Sequence, residues 1–178
     1  MRKKYTLLQI GNIPITTTQL ALVSSLVLWI VFALIGALGF QLSLGSSILG
    51  GLLAMVLHWV SELLHQLGHA WVASRVGYPM REIRLLHLLA GSVYPRDEPD
   101  LPAKIHIRRA LGGPPVSFGL AGVGALVLFL QQADSGLSYL LAQFVFWENL
   151  LVFGLGSLLP LGFTDGSTLL EWWPKRNL

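Results

Sequence analysis

Four side chains, His58, Glu62, His65 and His69, recur at intervals of four, three and four residues within an otherwise apolar run. At 100° per residue they fall within about 60° of one another, so a helix gathers them into one polar seam. His65 and His69 form an i, i+4 pair, the spacing that lets two imidazoles of one helix hold a tetrahedral ion from adjacent corners. The chain has no cysteine. Disulfide and thiolate sites are therefore excluded, and any metal must be held by nitrogen and oxygen. A catalytic-type site needs three protein ligands and a water, so a third ligand must come from elsewhere.

The elements that must position these groups are set by composition. The chain has 178 residues, 53% hydrophobic and 12% charged, with a mean hydropathy of +0.64. Soluble domains carry about 25% charged residues, so the solvent expected here is a bilayer. Four stretches reach the roughly 20 apolar residues that a spanning helix requires: 19–40, 47–74, 110–131 and 137–159. The first opens at Thr16-Thr17-Thr18, a cluster of N-capping residues. The third begins with Gly112-Gly113-Pro114-Pro115, and the fourth stops at Pro160. The predicted fold is an all-α multi-pass membrane domain with a minor strand element. Residues 7–15 alternate around Gly11-Asn12 as a short surface hairpin, and Met80–Tyr94 forms strands or lies on the surface. The proline-rich stretch Tyr94–Pro102 excludes regular structure. A short helix is expected from Asp165 to Trp172-Trp173, at the membrane interface.

Of the twelve Lys and Arg side chains, eleven fall in residues 1–18, in the connector 77–109 or in the tail 160–178, and the twelfth, Arg75, directly follows the second span on the connector side. The connectors 41–46 and 132–136 contain none. This asymmetry places both termini and the 77–109 connector in the cytoplasm. The chain reads as a single domain, 1–178, in a cytoplasmic membrane of bacterial or archaeal type, with its basic start an uncleaved anchor. The basic residues lie in short segments without aromatic interleaving, so no nucleic-acid partner is expected. In this topology Asp165, just past the cytoplasmic end of the fourth span, reaches the depth of His65 and His69 in the second. His58 and Glu148 each lie about eleven residues, roughly 16 Å, from the outer ends of their spans. They are expected to pair near the midplane, where lone ionisable groups are costly.

A polar helix clamp is the competing reading of the imidazole pair. Haem ligation fits poorly, because two histidines on one face cannot flank one iron. Metal transport fits poorly as well, with few ligands and no second cluster.

The residues also carry a resemblance. His65-Gln66-Leu67-Gly68-His69-Ala70 resembles the HExGHA helix of the site-2 proteases, the intramembrane zinc metalloproteases. Gly113-Pro114-Pro115-Val116-Ser117 is similar to their GxxxN/S/G element, and Leu158–Gly166 is similar to their NxxPxxxxDG element. The three elements occur in order, and the likeness covers nearly the whole chain. It implies one Zn2+ held by His65, His69 and Asp165 near the cytoplasmic face. It also implies a membrane-spanning peptide as substrate, with the metal activating a water.

Two positions depart from the pattern. Gln66 stands where the family has its general-base glutamate, and an amide cannot take a proton from water, a step worth about 10²–10⁴-fold. Ser157 stands where the family usually has Asn, a residue expected to contact substrate, whereas Ser117 is within the family's range. Three explanations of Gln66 stay open: an engineered inactivation, a natural relative that kept the cavity and lost proteolysis, or replacement by another carboxylate such as Glu62. Glu62 is otherwise expected to orient a ligand imidazole. The function classes are thus a zinc metalloprotease acting on membrane peptides and a pseudoprotease that binds a membrane partner in the same cavity.

Overall fold

The computed structural model describes residues 4–131 and 136–177. Arg2, Lys3 and most of the 132–136 connector, both used in the orientation argument, lie outside them.

Among the described residues, four helices are long and apolar enough to cross a membrane, and the chain is an integral membrane protein. The first, α1, runs Gln19–Gly39 and the second, α2, Leu44–Arg75. Two helices, α3 (Ala103–Ala110) and α4 (Pro114–Leu130), make up the third candidate span, Ala103–Leu130. The fourth, α5, runs Leu137–Leu158, and a short helix, α6, covers Asp165–Trp172. Thr18 starts α1 by accepting a hydrogen bond from the Ala21 amide, and Ser43 starts α2 by accepting one from Ser46. Such caps satisfy amides that a helix end leaves unpaired. Large apolar side chains such as Leu22, Leu26, Ile30, Phe129 and Leu130 stay exposed on the spans, as a lipid-facing surface requires. Spans one and two touch where Gly51 meets Ala33. A Cβ on Gly51 would lie 2.5 Å from the Ala33 nitrogen, so only glycine lets the backbones come this close.

The strand element is a four-stranded sheet in sequence order. Strands β1 (Lys4–Ile10) and β2 (Ile13–Thr18) form a hairpin through Gly11, at φ +57°. β2 pairs in parallel with β3 (Glu82–Leu85), and β3 pairs antiparallel with β4 (Ala90–Val93). Ile15 and Ile83 from the sheet pack on Ala70 of α2 and on Met80, with Leu63 and Leu67 around them. The sheet is thereby fastened to the half of α2 that carries His65 and His69.

Two boundaries differ from the sequence reading. Residues 103–109, assigned to the connector, are helical, because Pro102 opens a stretch whose Ile107, Arg109 and Ala110 find a buried face. The β3–β4 hairpin also does more than rest at a surface. The Leu88 carbonyl at its tip accepts from His58, fourteen residues into α2. The hairpin therefore runs alongside the middle of span two.

Candidate metal centre

The 100° advance of α2 places His65 and His69 one above the other, and their Nε2 atoms lie 3.0 Å apart. The chain leaves α5, turns through Pro160 and Gly162 (φ +89°) and enters α6 at Asp165. Gly166 is required in this turn, because a Cβ there would strike the Leu158 carbonyl. Asp165 Oδ2 lies 3.3 Å from His65 Nε2, and Oδ1 lies 3.3 Å from His69 Nε2. Both imidazoles are buried.

Two hydrogen bonds orient the rings. His65 Nδ1 is 2.9 Å from Ser117 Oγ, and His69 Nδ1–H donates to the Arg109 carbonyl at 2.7 Å. Partners of this kind fix the tautomer of a ligating imidazole. With both Nδ1 atoms protonated, the neutral rings direct their Nε2 lone pairs toward each other and toward a carboxylate. Where protons rather than an ion fill the space between these groups, burial pushes the Asp165 pKa up, but hydrogen bonds and charge from the two imidazoles outweigh it and hold the carboxyl below its ordinary value of 3.8. Three electron-rich groups at one buried point repel unless a cation or proton lies among them.

The spacing would fit a metal ion. In a tetrahedral zinc site with arms of about 2.0–2.1 Å, ligand atoms are about 3.3 Å apart, which matches 3.0, 3.3 and 3.3 Å here. Gly113 completes the cradle. A Cβ on it would press on both Nε2 atoms at once, so any larger residue would fill the space where the three ligand groups converge. The donor set of two nitrogens and a carboxylate suits Zn2+.

The remaining singled-out residues distribute as follows. Gln66 does not face the ligand cluster as a free amide. Its Nε2–H donates to the Ala90 carbonyl (3.1 Å) and to Glu62 (3.4 Å), and its Oε1 accepts from Ser92 Oγ (2.7 Å). Its polar atoms are engaged with β4 and with Glu62. Glu62 orients neither imidazole; it accepts from the Ala90 amide at 2.6 Å and from Gln66. Ser117, first singled out as a motif residue, is fully buried against His65. Ser157 donates to the Gly154 carbonyl and lines the cavity. His58 Nδ1 and Glu148 Oε1 come together at 2.7 Å.

A cavity of about 930 Å³ opens over the cluster, walled by β4, the hairpin tip, α3, α5 and α6. Sequence reasoning missed three of its features. Gly113 stood in a recognised motif, but nothing in the motif showed that its missing side chain makes room at the imidazoles. The Arg109 carbonyl is a main-chain group, which no residue type reveals. Arg109 itself forms a two-pronged ion pair with Glu98 (2.5 and 3.0 Å) and lies 3.9 Å over the Tyr94 ring, tying the proline-rich connector to α3.

No protein-family model matches the chain, and no curated protein matches it. Among solved structures it is similar to the Site-2 Protease from Methanocaldococcus jannaschii, with a TM-score of 0.63 and 24% identity. The likeness covers 94% of this chain and 70% of that one. It establishes the fold, a multi-pass helical membrane domain with a site-2-protease-like core.

Proposed function

We propose that this chain is a membrane protein of the site-2 protease type that holds one zinc ion and receives a membrane-spanning peptide in its cavity without hydrolysing it efficiently. The carrying observation is the ligand triangle of 3.0, 3.3 and 3.3 Å among His65, His69 and Asp165, closed by Gly113.

His65 and His69 would supply nitrogen ligands through Nε2 and Asp165 a carboxylate, with the Ser117 hydroxyl and the Arg109 carbonyl fixing ring orientation. Zinc bound there would polarise a carbonyl and acidify a water. What the chain lacks is the proton acceptor. Gln66 is an amide engaged with β4, and Glu62 is engaged with the Ala90 amide. The cavity walls supply apolar contacts from Leu86, Leu88, Val152 and Phe153, which suits a peptide arriving from lipid. Both termini lie on the cytoplasmic side in this reading. An active metalloprotease is the second reading, favoured by the complete ligand set.

The test uses the purified full chain. Metal analysis is expected to find one zinc per chain in the native protein and none in His65→Ala or His69→Ala. A photoreactive membrane peptide should crosslink into the cavity and remain uncut. Absence of zinc from the native protein would overturn the metal reading. Steady cleavage would overturn the inactive reading in favour of the protease.

A further inference from the structure

We propose that His58, Glu62 and Gln66 form a clasp that seals the outer edge of β4 against span two, and that Gln66 is an amide because the clasp needs one. His58 Nε2–H donates to the Leu88 carbonyl at 2.8 Å. Glu62 accepts from the Ala90 amide at 2.6 Å. Gln66 donates to the Ala90 carbonyl at 3.1 Å and accepts from Ser92 Oγ at 2.7 Å. Three helix residues four apart thus meet three chain residues two apart.

The match is geometric. From residue 62 to 66 a helix advances about 6 Å, and from 90 to 92, within β4, a strand advances about 7 Å. The two elements run in the same direction, so the pairing stays in step over its whole length.

The membrane supplies the need for it. β4 is the last strand of the sheet. Leu89 and Val93 turn their carbonyls to the β3 side, accepting from Leu86 and Arg81, so by alternation Ala90 and Ser92 turn theirs outward. The exposed Leu86, Leu88 and Leu89 and the contact with His58 place this edge beside the middle of a spanning helix. An open strand edge has no water to bond at that depth and must be satisfied by protein. The polar seam of α2 does this for the Leu88 carbonyl and for both the amide and the carbonyl of Ala90, and Gln66 adds a bond to the Ser92 hydroxyl.

The chemistry at position 66 follows. The side chain must donate to a carbonyl and accept from a hydroxyl at once, and it sits beside the Glu62 carboxyl. An amide has both capacities, whereas a carboxylate only accepts. A carboxylate at 66 would face the Ala90 carbonyl with no hydrogen to offer and would repel Glu62. The residue that removes the general base is therefore the residue that closes the cavity wall, and Gln66 is a positioning residue of the hairpin.

Amide hydrogen exchange on the full chain in lipid nanodiscs tests this without reference to metal. In Gln66→Glu the Ala90 amide should exchange at least about tenfold faster than in the native protein, because local opening sets the rate. The Leu86 amide, bonded within the hairpin to the Leu89 carbonyl, should hold its rate within about twofold. Ser92→Ala, which removes one tooth only, should give a smaller rise confined to the same edge. Unchanged exchange at Ala90 in Gln66→Glu would overturn the clasp. So would an equal rise at Ala90 and Leu86 in Ser92→Ala, which would mark loss of the hairpin itself; this second variant decides the matter if Gln66→Glu unfolds.

Discussion

Replacing Ser117 by alanine tests the centre through a residue that touches no ion. Ser117 is 0% exposed, and its Oγ lies 2.9 Å from His65 Nδ1. Alanine removes the oxygen and leaves room for little else, so the ring N–H stays buried beside a methyl group. A buried donor without a partner costs about 1–3 kcal/mol. The ring also loses the contact that fixes its tautomer, a change that typically weakens metal binding about 10–100-fold, or roughly 1.4–2.7 kcal/mol. The two estimates agree. His69 offers an internal contrast, because its partner is the Arg109 carbonyl and no side-chain change deletes that. The assay is zinc competition against a chelator of known affinity, using native protein, Ser117→Ala and His65→Ala. Zinc affinity of Ser117→Ala within about twofold of native, with His65→Ala abolishing binding, would refute the role assigned to Ser117.

Two further expectations follow from the same geometry. Gly113 has φ −77°, a backbone alanine adopts freely, so Gly113→Ala should fail only through its Cβ against His65 and His69. It should weaken zinc more than about 100-fold while the helical circular dichroism is retained; normal zinc content would disprove the cradle. The third expectation concerns acid. Burial raises the Glu82 pKa, but hydrogen bonds from Lys4 and Arg84 more than offset it and hold the carboxyl below its ordinary 4.5. A lowered folded pKa means stability that is full above the unfolded value and lost as pH falls through the folded one. Native protein should therefore lose denaturant resistance below about pH 4.5 more steeply than Glu82→Gln, and parallel pH profiles would contradict this.

The helices and the hairpin around Gly11 were readable because each rests on local information: a long apolar run, a capping Thr18, a turn residue with positive φ. The ligand trio was readable because i, i+4 spacing converts directly to a helix face, and charge asymmetry placed Asp165 at the matching depth. The partners were less readable. Glu62 was expected to orient an imidazole since it shares the seam, yet the rings turn to Ser117 and Arg109 while Glu62 turns to β4. Spacing on one helix says which residues share a face, and says nothing about which neighbour that face will meet.

The sequence by itself determined that this chain lives in a bilayer, that any metal must be held by nitrogen and oxygen, and that residue 66 carries no general base. These are properties of residue types and their periodicity, which survive any folding. Only the tertiary structure decided that three ligand groups meet at 3.0–3.3 Å around Gly113 and that Gln66 bonds to β4. Apart from the His65–His69 spacing within one helix, those facts join residues 24 to 100 positions apart, and such contacts are set by how helices and strands pack, since a strand edge at membrane depth must find its hydrogen bonds inside the protein.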